Sequence, residues 1–176
     1  MSALDSLEKN LDDVFVKKAP PLPPGAIKVI VQFLPWVNLV LGLFTLLSVY
    51  WLWHWAHFAN SLINYANSVS AAYGGTTIAT NRMGVGIWLG VFALAIEAVL
   101  YLAAFVPTKN RQKFGWDLMF YALIVNLVYG VVVAFTAYGG ASSIIGSAIG
   151  TAIGLYFLFQ IRASYNKKPA AAKKDS

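Results

Sequence analysis

The chain has 176 residues, 59% of them hydrophobic and 11% charged, with no cysteine and a formal net charge of +6. Soluble domains average about 45–50% and about 25% for the first two quantities, so there is too little charge here to coat a water-soluble surface. Without cysteine there are no disulfides, thiolate metal sites or cysteine nucleophiles, and the basic excess raises nucleic-acid binding as a question of where the thirteen basic residues sit.

Residues 2–18 have the pattern of a short amphipathic helix, with Leu4, Leu7, Leu11 and Val14 at three- and four-residue steps. Ser2 can cap it, with Asp5 three residues on. Asp5, Glu8, Asp12 and Asp13 supply four of the seven acids, and Lys17 and Lys18 end the segment in the sense that the helix dipole favours. Pro20, Pro21, Pro23 and Pro24 then force an extended linker that closes at Gly25. Two roles suit residues 1–28: a docking helix on a spacer, or, more simply, a membrane-surface helix or frayed tail. With 28 residues that include four acids before the first apolar stretch, the pattern is not that of a signal peptide.

Four long apolar stretches follow, at about 29–58, 84–106, 118–137 and 142–161. About 20 apolar helical residues cross the hydrocarbon core, and a lone segment in lipid must be helical to satisfy its backbone. The expectation is an all-α polytopic membrane protein: a compact antiparallel four-transmembrane-helix bundle over 29–163, with an N-terminal amphipathic helix and a disordered basic tail at 164–176. Pro35 marks a kink or joint at the entry to the first span. In the connection 59–83, Leu62, Ile63, Ala66 and Val69 keep a helical period, so the first span either continues outward or bends onto the surface.

Twelve of the thirteen basic residues lie before the first span, between the second and third, or after the fourth; only Arg82 does not. With an even number of spans those three segments share a side, which the positive-inside rule makes the cytoplasm. A multi-pass protein of the cell (inner) membrane with cytoplasmic termini is therefore expected. Tyr50, Trp51, Trp53, His54 and Trp55 at one end of span one, Trp88 on span two, and Trp36 and Trp116 at the opposite end read as interfacial belts.

Each span carries a face of small or polar residues at helical spacing. These are Asn38, Gly42 and Thr45; Gly86, Gly90, Ala93 and Glu97; Ala122, Asn126, Gly130 and Ala134; and Ser142, Gly146, Gly150 and Gly154. The last set, in strict four-residue steps, suits close helix packing of the GxxxG kind, against another span of this chain or a second copy. Glu97 is the one ionisable residue deep in a span, nine positions from 106 and so about 13 Å in. The same depth reaches Thr45, Asn126 and Thr151, which predicts an intramembrane polar layer of Glu97, Asn126, Thr45 and Thr151. A buried carboxylate costs roughly 2.5–3.5 kcal/mol on insertion scales. It serves either as a proton or cation group, or as a structural hydrogen bond to Asn126 that fixes register.

His54 and His57 share a helix face but make only a weak metal site, since no Cys, Asp or Glu joins them. There is no P-loop, GxSxG, HExxH or dinucleotide fingerprint. No enzymatic activity, cofactor or nucleic-acid binding is expected; the expected partners are the lipid bilayer and either a second copy or another membrane protein. The run Gly115-Trp116-Asp117-Leu118-Met119-Phe120-Tyr121-Ala122, the stretch 149–162 and Leu34-Pro35-Trp36 resemble small four-span bacterial membrane proteins. The resemblance implies a fold and a location and brings no activity with it. The leading expectation is a non-enzymatic structural or accessory subunit of a membrane assembly; the alternative is a small proton- or cation-coupled transporter or channel component using Glu97.

Overall fold

The computed structural model describes residues 3–76, 85–135 and 140–165. Within them lie α1 (Ala3–Asp12), continued by a π-helical stretch (Asp13–Lys18), then α2 (Pro24–Ala72), α3 (Val85–Lys109), α4 (Lys113–Ala134), α5 (Ala141–Gln160) and a 3₁₀ turn (Arg162–Tyr165). Helices α2 to α5 are each long and apolar enough to cross a bilayer and pack antiparallel, α2 on α3, α3 on α4 and α4 on α5. No comparable seam joins α2 to α5 among the described residues. The bundle is therefore a folded row with two edge helices. We call the end that carries α1 and the 3₁₀ turn the terminal end, and its opposite the far end.

Helix α2 is the outlier in length, at 49 residues against 20 to 25 for the other three. Its start is set by chemistry: Pro23 is extended (φ −56°, ψ 141°) and Pro24 takes the first helical position, where a missing N–H costs nothing. Pro35 sits buried inside the continuous helix rather than ending it. From 43 to 72 there is no glycine or proline to break the run, so the first span continues outward through the stretch 59–72.

The α3–α4 connection is tight. Arg111 adopts a left-handed conformation (φ 54°), and the Gln112 N–H donates to the Pro107 carbonyl at 2.9 Å. Gly115 lets α4 lie against the end of α3, since a Cβ there would fall 2.6 Å from the Thr108 nitrogen. The core sits at this terminal end. Trp116 is buried, stacked on Phe120 at 5.5 Å and meeting Phe159 edge-on at 5.2 Å. Its indole N–H donates to the Leu158 carbonyl at 2.7 Å, satisfying the one polar atom it brings inside.

The N-terminal segment is not a free docking arm. Arg162 donates to Asp12 at 3.0 Å and pairs with Glu8, while its guanidinium lies over the Trp116 ring at 5.2 Å. Gln160 donates to the Phe15 carbonyl (2.7 Å) and accepts from the Leu22 N–H (3.2 Å); Tyr156 donates to the Pro20 carbonyl (2.8 Å). Residues 19–23 thus run from the end of α5 to the start of α2, bridging the two edge helices. The inward face also differs from the sequence pattern. Leu11 and Phe15 pack on the core while Leu7 and Val14 are exposed, because the wide turns of the π-helical stretch carry Val14 off the face that Leu11 begins. Ser2 and the tail from 166 onward lie outside the described residues.

Candidate functional site

Glu97 is buried on α3 and faces α4, where the Asn126 side chain is its hydrogen-bond partner. Tyr101, one turn along α3, and Tyr129, one turn from Asn126, lie within electrostatic range of the carboxyl. Gly90 makes room for this arrangement, since a Cβ there would sit 2.7 Å from the Tyr129 hydroxyl. The result is a carboxyl, an amide and two phenols gathered on the α3–α4 seam. The tyrosines were legible in principle: each stands at i+4 or i+3 from the polar residue it accompanies, the spacing that puts side chains side by side.

The other two residues of the expected layer make no hydrogen bond to Glu97 or Asn126 among the described residues. The Thr45 hydroxyl donates to the Leu41 carbonyl of its own helix at 2.8 Å. Thr151 is buried on α5, and its hydroxyl has no partner among the described residues. A buried contact nearer the terminal end joins three helices instead: Asn38 on α2 reaches Thr108 at 3.5 Å and the Met119 sulfur at 3.1 Å, and Thr108 donates to the Ala104 carbonyl at 2.6 Å. Its role is to lock α2 to α3 and α4.

The small residues divide in the same way. A Cβ at Gly42 would meet Leu102 at 2.7 Å, one at Gly154 would meet Leu123 at 2.7 Å, and one at Gly130 would collide with the Ser147 side chain. A Cβ at Gly146 or Gly150 would meet no other part of the described chain within 4 Å. The α4–α5 seam therefore uses the face of Ser147, Thr151 and Gly154, beside the glycine steps rather than on them. The surroundings of Gly86 lie outside the described residues. His54 stacks on Tyr50 at 5.8 Å and His57 meets Trp53 edge-on at 4.6 Å. No group of three or more His, Cys, Asp or Glu that could hold a metal is present among the described residues.

Between the edge helices lies an apolar cleft of about 170 Å³, lined by Leu34 and Asn38 of α2, Tyr101 of α3, Met119 of α4, and Gly154 and Leu158 of α5 among others. The amide nitrogen of Asn38 is already engaged there by Thr108 and Met119. Beyond the spans, burial pushes the Tyr165 phenol up to about 12, which keeps it neutral.

Four antiparallel apolar helices with lipid-facing surfaces define a multi-pass integral membrane protein in contact with the bilayer. Comparison with family models, with curated proteins and with solved structures gives no match, so the four spans are supported and no family is identified.

Proposed function

We propose that the protein is a non-enzymatic structural or accessory subunit of a bacterial inner-membrane assembly, with both termini in the cytoplasm. The observation that carries this reading is α2, whose 49 residues span about 73 Å at 1.5 Å per residue, against a hydrocarbon core of about 30 Å. A helix of that length at the edge of the bundle, with its one extended seam among the described residues made to α3, suits contact with another protein. The polar groups supply no path to weigh against it: Glu97 is engaged by Asn126 on one seam, and the Asn38 amide is spent on Thr108 and Met119. Twelve basic residues on the side of the termini support the orientation.

The second reading, proton or cation transport through Glu97, draws on the same carboxyl–amide–phenol group. Reconstitution separates the two. The purified protein in vesicles carrying a pH-sensitive dye is expected to pass no protons or alkali cations, with Glu97→Gln behaving as wild type because the amide keeps a hydrogen bond to Asn126. Flux abolished by Glu97→Gln would establish the transport reading instead.

A further inference from the structure

The edge helices α2 and α5 share no extended seam among the described residues. The cleft of about 170 Å³ left between them is floored by Tyr101, Met119 and Leu123 of the two inner helices. Its two ends differ. Toward the terminal end it is shut: Leu158 and Ile161 are buried, and Ile30 and Leu34 half-buried. Toward the middle of the bundle it opens sideways, where Val37 is 45% exposed, Leu41 42% and Phe157 41%.

The mouth has a definite depth. Lys28 is the last charge before the first span and Arg162 the first after the fourth, and such side chains reach for the interface. Val37 and Leu41 follow Lys28 by nine and thirteen residues, and Gly154 precedes Arg162 by eight, which puts the opening about 12–20 Å along the helices from these charges. The centre of a hydrocarbon core about 30 Å thick lies about 15 Å in. The cleft therefore opens where acyl chains end. Water is excluded, because a small cavity with an apolar lining stays dry. A helix, about 10–12 Å across, is too thick for a space of this volume. Nor does one lie along the mouth, because the strap of residues 19–23 crosses there from α5 to α2, tied to Tyr156 at 2.8 Å and to Gln160 at 3.2 Å.

We infer that the cleft receives the end of one acyl chain of a bilayer phospholipid, which enters between Val37, Leu41 and Phe157 and lies against Tyr101, Met119 and Leu123. A chain end is thin, flexible and already the medium at that depth. Filling the space restores the contacts that a void forfeits, so the bound chain stands in for the missing α2–α5 seam and joins the edge helices. The inference is separate from the accessory-subunit reading and takes nothing from it.

Photolabelling tests it on the purified full-length protein in vesicles of phosphatidylethanolamine and phosphatidylglycerol, doped with a phosphatidylglycerol whose acyl chain ends in a diazirine. Peptide mass spectrometry is expected to find adducts several-fold more often on Val37, Leu41 and Phe157 than on Val40 and Ile153. Those two lie at the same depth on the outer faces and are the more exposed, at 49% and 54%. A diazirine placed beside the glycerol should show no such preference. Val37→Trp and Leu41→Trp, each filling the mouth, should bring cleft labelling down to the outer-face level at unchanged helix content. Leu34→Ala, which widens the cleft, should raise it. Equal labelling of all faces, cleft labelling unchanged by both tryptophans, or a cleft left unlabelled in a wild type that weighs as a dimer would each overturn the inference.

Discussion

At the terminal end, α4, α5 and the segments flanking the spans close around Trp116 and Arg162, joined by hydrogen bonds from Trp116, Gln160 and Arg162. At the far end α2 meets α3 through Trp53 and Trp88, while Tyr50, Trp51, Trp55 and Tyr65 lie open. Lipid provides no hydrophobic drive to bring helices together, so association rests on close packing and hydrogen bonds. The terminal end has both in abundance, including a soluble-like cluster of rings outside or at the edge of the apolar zone. The far end has aromatic surface without matching partners. One end holds the monomer together, and the other is available to something else.

That contrast is broken most readily at Trp116. Trp116→Ala removes two ring contacts, a buried hydrogen bond and the seat of the Arg162 guanidinium, and is expected to cost about 3–5 kcal/mol in unfolding of the detergent-solubilised protein. Tyr73→Ser at the far end should change stability by less than about 0.5 kcal/mol; similar losses for both would erase the distinction. Next comes Arg162→Gln, which leaves Glu8 and Asp12 without their cation at about 1–3 kcal/mol. The readout is faster proteolytic cleavage within 1–24, with the spans intact. The smallest effect belongs to Asp13. Lys17, donating at 2.8 Å, holds the Asp13 carboxyl below its ordinary 3.8. Its contribution is therefore present above that value and fades as pH falls through the lower, folded-state one. The same pair raises Lys17 above 10.5, so the lysine's share is lost at the opposite extreme, as pH rises past its folded value. Between these limits the circular dichroism of the helical N-terminal segment should be flat with pH, and added salt should weaken the acid-limb change.

The four spans were legible because length and apolarity in lipid leave no alternative to helix. So was the contact between Glu97 and Asn126, because equal depth on neighbouring antiparallel helices brings side chains together. Thr45 escaped the same reasoning because a threonine hydroxyl in lipid is satisfied by its own helix at Leu41. The glycine steps at Gly146 and Gly150 were visible as a pattern, but which face of α5 meets α4 depends on Leu123, Gly130 and Ser147 fitting together, and no local period encodes that fit. The docking of α1 was hidden for a further reason. Arg162 counts as one more topological charge until the fold brings it to Glu8 and Asp12.

That ion pair also has a consequence for biosynthesis. Asp12 and Arg162 are 150 positions apart, and at about 5–20 residues per second the ribosome needs roughly 8–30 s to travel between them. Through that interval the first helix has no receptor, since Phe159, Gln160 and Arg162 are not yet made. Docking becomes available only when the last span has been threaded with its exit on the same side as α1. The clasp therefore closes only on a chain whose insertion is complete: one that stalls after three spans, or leaves its fourth span inverted, keeps its N-terminal segment undocked.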